Sequence, residues 1–147
     1  MKLSDNFTLA ELTNSQTAKR KGIDNTPNPE QLENLVELCY KILQPIREQF
    51  GPTRITSGLR VPALNKAIGG SSNSQHCEGK ASDIDFGERN GEVFDWIRAN
   101  LNFDQLIWEF GDEKNPAWIH ISYNYGKNRN QILKAVKQNG RTKYLPF

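Results

Sequence analysis

The chain contains only two histidines, and each occupies a segment that suits a metal site. His76 stands in a polar stretch before a predicted strand, and His120 stands inside a later one. Neutral imidazole and carboxylate are common zinc ligands, and three protein ligands leave one coordination position open for chemistry. The sequence therefore has a short list of ways to build a catalytic zinc site.

A carboxylate with suitable placement lies in the strand that follows the first histidine. Asp83 falls in the predicted strand 81–86, and His120 falls in the predicted strand 117–123. Side chains alternate along a strand, so His120 shares one face with its neighbours at positions 118 and 122. Ligands on adjacent strands of one sheet can converge on a single cation without help from a helix.

The elements that must position these residues follow from helix-start signals and hydrophobic periodicity. Thr8 and Glu11 form a capping-box pattern, and Asn28 followed by Pro29 marks a stronger helix start. Periodicity and turn residues predict helices at 8–20, 29–50, 61–68 and 91–101, and strands at 53–57, 81–86, 104–110 and 117–123. The last twenty residues fit either strand or helix.

The order of these elements indicates the fold class. Helices come first and short strands later, without regular βαβ alternation, which favours an α+β domain. We expect one domain over residues 1–147, with N-terminal helices packed on a small antiparallel sheet that carries the zinc site. The strand carrying His120 is predicted to pair with the strand carrying Glu109.

Composition restricts the partners. Charged residues make up 24% of the chain and the net charge is only +2, with scattered basic residues, so we expect no nucleic-acid partner. No apolar run approaches the roughly 20 residues of a membrane span. The N-terminus lacks the apolar segment of a signal peptide, so we expect synthesis in the cytoplasm. Of the two cysteines, Cys39 is predicted to be core, and Cys77 is not expected to be a ligand because it points away from its histidine neighbour.

Several motifs resemble those of one family. They are Ser57-Gly58-Leu59-Arg60, Asn65, Ser74-Gln75-His76, Gly79, Ala81, Asp83-Ile84-Asp85 and Trp118-Ile119-His120. This set resembles the zinc D-alanyl-D-alanine carboxypeptidase group, whose relatives include the L-alanyl-D-glutamate endopeptidases of phage endolysins. The resemblance extends from about Phe7 to Ser122.

The resemblance implies a site and a substrate. Zinc would be bound by His76, Asp83 and His120, with water in the fourth position. The expected activity is hydrolysis of peptide bonds in the stem peptides of bacterial peptidoglycan, either as a D-Ala-D-Ala carboxypeptidase or as an L-Ala-D-Glu endopeptidase. A monomer is favoured, acting on the cell wall after release in phage lysis or from a virion.

The general acid/base is the point at which this chain departs from the better-known members. They place it three residues before the last histidine, where this chain has Ala117. Such a reaction needs a carboxylate to accept a proton from water and pass it to the leaving amine. Glu109, in the strand that leads to the hairpin, is the predicted replacement, with Asp112 and Glu113 as alternatives.

The resemblance assigns roles to two further residues, and strand alternation places a third, Asp85, on the same face as Asp83. Arg60 matches the family arginine that contacts a substrate carbonyl or carboxylate, although it could instead form a structural salt bridge. Ser74 is expected to lie near the substrate or behind the ligands, and a plain loop serine is the alternative. Asp85 could orient a histidine or simply be solvated.

A second function class remains open at the level of sequence. The domain could bind zinc and yet have lost its chemistry, serving as a cell-wall-binding or virion structural domain. Ala117, at the position of the family acid, is the feature that favours this reading. A signalling domain with the same metal arrangement is a third option, which the length of the chain disfavours.

Overall fold

The computed structural model describes all 147 residues and contains six α-helices. They are α1 (Leu9–Thr13), α2 (Gln16–Lys21), α3 (Pro29–Leu38), α4 (Gln44–Phe50), α5 (Pro62–Ala67) and α6 (Asn90–Asn100). A π-helical segment, Cys39–Leu43, joins α3 to α4, and short 3-10 turns occupy Gln75–Glu78 and Gly87–Arg89. No helix combines the length and apolar character that crossing a bilayer requires.

Eight strands form two sheets. They are β1 (Lys2–Ser4), β2 (Phe7–Thr8), β3 (Arg54–Ser57), β4 (Ala81–Asp85), β5 (Gln105–Glu109), β6 (Trp118–Ser122), β7 (Gln131–Gln138) and β8 (Arg141–Pro146). The first two strands pair with each other, and the remaining six form one sheet in the order β3-β4-β6-β5-β7-β8. Every neighbouring pair in the large sheet is antiparallel except β5 and β7, which run parallel.

The pairing register divides the large sheet into a core face and a polar face. Ile84 in β4, Ile119 in β6 and Trp108 in β5 are cross-strand partners, and all three belong to the main hydrophobic core. Helices α3 and α6 contribute apolar side chains to the same core. The alternate positions therefore point away from the core, and these include Asp83 and its partner His120.

The long helical segment from α3 to α4 contains a π-helical turn, and Pro45 explains its position. The backbone N–H of Gln44 donates to the carbonyl of Cys39, five residues earlier, which widens the turn before Pro45. Proline has no backbone N–H, and its ring clashes with the carbonyl four residues earlier, so a regular α-helix cannot pass through this point. The segment stays continuous because Leu38, Cys39 and Ile42 are fully buried against the core.

The structure confirms the α+β class and corrects several boundaries. Both helix-start signals are confirmed, since Thr8 and Asn28 each form a complete capping box. The first predicted helix is in fact two, which are separated at Ser15 because its hydroxyl caps α2. Not all helices are N-terminal, since α6 lies between β4 and β5, and the sheet is not purely antiparallel. The ambiguous C-terminal segment forms the hairpin of β7 and β8.

Candidate metal centre and the cleft around it

The structure brings His76, Asp83 and His120 together. One ligand atom from each residue lies within 4.8 Å of the other two, in a group that could hold a metal ion. Their side chains are only 3%, 15% and 12% exposed. The group borders a cleft of about 790 Å³ on the polar face of the sheet. Cys77, next to the first histidine, lies outside the group.

The ring of His76 is oriented by the backbone. Its Nδ1 lies 2.8 Å from the carbonyl oxygen of Gly58, which can only accept a hydrogen bond, so Nδ1 carries the proton. In a neutral ring the other nitrogen, Nε2, therefore presents a lone pair, and it lies 3.4 Å from Oδ1 of Asp83. Two acceptors at this distance repel each other unless a proton or a cation lies between them. This arrangement fits a zinc-binding histidine fixed by a second hydrogen bond.

Gly58 is placed by unusually close packing. A Cβ atom at this position would lie 2.3 Å from the carbonyl oxygen of Leu12 and 2.9 Å from its carbonyl carbon, so only glycine fits. The next residue, Leu59, donates its backbone N–H to the same Leu12 oxygen at 2.8 Å. Arg60 then donates its backbone N–H to the carbonyl of His76 at 3.0 Å. The turn after β3 therefore holds His76 through its ring and through its backbone.

Asp83 and His120 face each other across two paired strands. They are direct partners in the register of β4 and β6, and Nδ1 of His120 lies 3.2 Å from the same Oδ1 atom that His76 approaches. Burial acts to raise the pKa of Asp83, but the charge and hydrogen bonds that the two imidazoles supply in their protonated form hold that pKa well below its usual range. The carboxylate is therefore ionised, as a zinc ligand must be.

The two histidine–aspartate spacings match the size of a zinc coordination sphere. Ligands held at about 2.1 Å in a tetrahedron lie roughly 3.4 Å apart. The two histidine–aspartate separations are 3.4 and 3.2 Å. Two nitrogen donors and one carboxylate oxygen are also the donor set of catalytic zinc sites with three protein ligands. The residues present therefore fit the metal.

Glu109 is a second carboxylate on the same cleft, and its environment is different. It ends β5, is only 6% exposed, and pairs in register with Trp118, two residues before His120. Burial raises the pKa of Glu109 to about 7; the charge of His120 lowers it and that of Asp83 raises it. A carboxyl group that titrates near neutral pH can both accept and donate a proton.

The two alternatives to Glu109 lie elsewhere. The carboxylate of Asp112 accepts hydrogen bonds from the backbone N–H groups of Lys114 (2.8 Å) and Asn115 (2.9 Å), which lowers its pKa and commits it to the turn. Glu113 is exposed in the same turn. Neither residue borders the cleft.

Arg60 and Ser74 both border the cleft. The guanidinium of Arg60 lies 3.4 Å from the hydroxyl of Ser57 and 3.5 Å from that of Ser74, and its Nε is buried without a partner. The arginine therefore contacts hydroxyls rather than carboxylates. Ser74 also accepts the backbone N–H of His76 at 3.2 Å, so it connects the arginine to the segment that carries a ligand.

Asp85 has a local role instead of a metal-site role. Its carboxylate accepts hydrogen bonds from the backbone N–H of Gly87 at 2.8 Å and from the side-chain amide of Asn90 at 2.9 Å. Asn90 begins α6 and also donates to the carbonyls of residues 116 and 117. Asp85 therefore anchors the start of that helix near the end of the hairpin.

One polar cluster of the cleft was not predicted. Asp104, only 1% exposed, is bound by the guanidinium of Arg129 at 2.9 and 2.7 Å and by the side-chain amide of Gln75 at 2.7 Å. The Arg129 hydrogen bond is the main reason that the pKa of Asp104 is lowered. Gln75 precedes a ligand in sequence, which is a usable signal, whereas Arg129 lies in a loop that has no motif.

The C-terminal hairpin is the other unpredicted part of the cleft. Leu133 and Lys137 from β7, together with Thr142 and Tyr144 from β8, border the same cavity as the metal-binding group. Alternation along the two strands would have placed these side chains on one face, once the segment was known to be a hairpin.

In a comparison with models of protein families, residues 5–122 match the model described as Peptidase M15. The matched range contains His76, Asp83 and His120, which could hold a metal ion, as well as Glu109, and it ends with β6. A search of curated proteins returns no match.

Proposed function

Because the chain belongs to the Peptidase M15 family, we propose that it is a zinc metallopeptidase that hydrolyses peptide bonds in the stem peptides of bacterial peptidoglycan. The observation that carries the proposal is the grouping of His76, Asp83 and His120 beside a buried glutamate in one cleft. Zinc binding alone needs only His76, Asp83 and His120. Hydrolysis also needs a proton carrier such as Glu109.

The three ligand residues would hold the ion, each in its own way. His76 offers Nε2 because its Nδ1 proton is engaged by the carbonyl of Gly58. Asp83 offers an ionised carboxylate, and His120 offers an imidazole nitrogen from the neighbouring strand. When bound, zinc supplies Lewis acidity, which polarises a peptide carbonyl and brings the pKa of water towards neutrality.

Glu109 is the proposed proton carrier. In its ionised form it accepts a proton from the attacking water, and in its protonated form it donates that proton to the nitrogen of the leaving amine. In the zinc-free protein burial raises its pKa to about 7, so this environment favours a carboxyl group that can hold a proton as well as release it. The backbone N–H of Ala117 donates to the carbonyl of Glu109 at 2.8 Å, so the family's usual acid position is a backbone neighbour of this residue. A carboxylate from the adjacent strand therefore stands in for the missing one.

Arg60 is the proposed anchor for a substrate oxygen. The terminal nitrogens of its guanidinium make only long contacts, to two hydroxyls, and the residue borders the cleft, so donors remain for a ligand. A planar fork of donors suits a carboxylate or a carbonyl that gains negative charge during the reaction. We assign Ser74 the role of orienting Arg60 at the edge of the substrate site.

The activity is tested on purified peptidoglycan. Zinc-loaded protein is incubated with the polymer, and the released fragments are identified by mass spectrometry. Loss of a terminal D-alanine indicates a carboxypeptidase, whereas separation of the L-Ala and D-Glu residues indicates an endopeptidase. Release of free amines by the wild type, but not by Glu109→Ala, is the expected result. Zinc-loaded protein that leaves every muropeptide mass unchanged would refute the proposal.

A catalytically silent wall-binding or virion structural domain is the second candidate, favoured by Ala117 at the usual acid position. Under that alternative the wild type, Glu109→Ala and Arg60→Ala would all be inactive, while sedimentation with peptidoglycan would be equal for all three. Partner and location follow the same proposal: a monomer that acts on the wall after release in phage lysis or from a virion.

A further inference from the structure

The C-terminal hairpin lies beyond the part of the chain that matches the family. The match ends at residue 122, and the hairpin comprises β7 and β8. Four of its side chains border the cleft, which means that a segment outside the family range supplies one side of the candidate site. The hairpin could therefore contribute side chains that bind substrate.

The hairpin is firmly joined to the rest of the fold. Strand β7 pairs with β5 at five successive positions, from residue 105 to residue 109. On the core face, the ring of Phe147 packs 5.1 Å from that of Phe94 and 5.6 Å from that of Trp108. A segment held on both sides in this way can present side chains to the cleft at fixed positions.

Tyr144 occupies a specific place in this hairpin. Glu109 pairs with Ala135 in β7, and Ala135 pairs with Tyr144 in β8, so the three residues form one row across the sheet. The strand spacing places the backbone of Tyr144 roughly 10 Å from that of Glu109. Ala135, the middle residue of this row, is small, and Glu109 and Tyr144 on either side of it both border the cleft.

The pKa of the Tyr144 hydroxyl depends on the charged residues of the cleft. Desolvation is the first cause that raises the pKa of Tyr144, followed by the negative charges of Glu109 and Asp83, while Arg60 lowers it. The hydroxyl therefore remains protonated at neutral pH, and it is a hydrogen-bond donor. Tyr144 is nevertheless 54% exposed, and its hydroxyl makes no hydrogen bond within the protein, so this donor is available to a ligand.

We infer that the hairpin of β7 and β8 is a substrate-binding wall of the cleft, and that the Tyr144 hydroxyl donates a hydrogen bond to a carbonyl or carboxylate oxygen of the bound peptide near the bond that is cut. The inference rests on the proposed function for the identity of the peptide. A peptide chain in the cleft would lie between Arg60 on one side and Tyr144 on the other, and both offer donors to oxygen atoms. Tyr144 would thus be a substrate-binding residue supplied by the segment outside the family range.

The kinetic test uses Tyr144→Phe, which removes the hydroxyl and keeps the ring. The matched control is Tyr40→Phe, because Tyr40 is 59% exposed on the helical side and does not border the cleft. Loss of one neutral hydrogen bond should lower kcat/KM on a soluble stem pentapeptide by about 3- to 10-fold. Zinc content should stay at the wild-type level in both variants. Equal kcat/KM for Tyr144→Phe and Tyr40→Phe would overturn the inference.

A binding test separates this inference from the proposed function. Binding of the stem pentapeptide is measured by calorimetry in a Glu109→Gln background, with and without Tyr144→Phe. The same 3- to 10-fold weakening is expected there. If the wild type hydrolyses nothing but binding still depends on Tyr144, the proposed hydrolytic activity is wrong and the substrate-binding role of the hairpin is supported. If the pentapeptide does not bind, or binds equally well without the hydroxyl, the inference is wrong.

Discussion

Asp83 and Glu109 are carboxylic acids that border the same cleft from strands β4 and β5. Asp83 has two imidazoles within 3.4 Å, which outweigh burial and keep its pKa low. Glu109 takes part in none of the chain's ion pairs, and burial raises its pKa to about 7. One sheet face thus carries an ionised carboxylate and a carboxyl group able to exchange protons. The difference lies in the neighbours of each side chain, since two imidazoles lie beside Asp83 and none forms an ion pair with Glu109.

The largest expected effect comes from removing the ionised carboxylate. Asp83→Asn removes one of three ligands and its charge, so zinc affinity should fall by more than the roughly 100-fold that loss of an outer hydrogen-bonding partner can cause. Competition with a chromophoric chelator measures this affinity. Asp85→Asn is the control, since Asp85 lies on the same strand and binds Gly87 and Asn90 instead. Equal zinc affinity in both variants would remove Asp83 from the site.

The next effect concerns the second carboxylate and leaves the metal in place. Glu109→Gln should lower kcat by about 10²- to 10⁴-fold, because the amide cannot carry the proton. Zinc affinity should stay near the wild-type value, unlike that of Asp83→Asn. The two variants together test whether Asp83 binds the metal and Glu109 carries the proton. If Glu109→Gln loses zinc, Glu109 is a ligand. If Glu109→Gln keeps the full kcat, Glu109 has no part in proton transfer.

A smaller effect is expected from the backbone behind His76. Gly58→Ala would place a Cβ atom against the backbone of Leu12 and displace the carbonyl that binds Nδ1 of His76. Zinc affinity should fall about 10- to 100-fold, as for other lost partners of metal ligands. Thermal unfolding of the zinc-free variant separates this effect from a general loss of stability. Unchanged affinity in a folded variant would argue against the orienting role of that carbonyl.

The smallest effect is a change in stability with pH. The pKa of Glu109 is raised from 4.5 to about 7 on folding, so its favourable contribution is complete below about pH 4.5 and is lost as pH rises through 7. Zinc-free Glu109→Gln avoids the buried charge, and at pH 8 it should be more stable than the wild type by about 1–3 kcal/mol. Urea unfolding at pH 8 and near pH 4 measures the difference. A variant that is less stable than the wild type at pH 8 would contradict the raised pKa.

The sequence predicted the fold where the determining signals are local. Capping residues gave the starts of α1 and α3, and alternation gave β4, β5 and β6 with small errors at their ends. The π-helical segment lies inside the helix predicted at 29–50, and local signals do not specify its form because it depends on core packing around Cys39. The parallel pairing of β5 with β7 was missed, because Ile132, Leu133 and Val136 fit a helix or a strand equally well.

In the candidate site, too, residues joined by local signals could be predicted and long-range contacts could not. The metal-binding group and the pairing of Glu109 with β6 could be predicted, since motifs and one hairpin bring those residues together. The contacts of Asp104 with Arg129 and Gln75 could not, because they join three separate segments. Tyr144 enters the cleft only through the parallel pairing of β7, which no short sequence pattern specifies.

Anomalous diffraction at the zinc absorption edge, from crystals of the zinc-loaded protein, would locate the metal ion. One strong peak is expected about 2.1 Å from Nε2 of His76, a carboxylate oxygen of Asp83 and a nitrogen of His120. Glu109 should lie outside the coordination sphere. A peak located elsewhere, or one with Glu109 as a ligand in place of Asp83, would contradict the assignment of the two carboxylates.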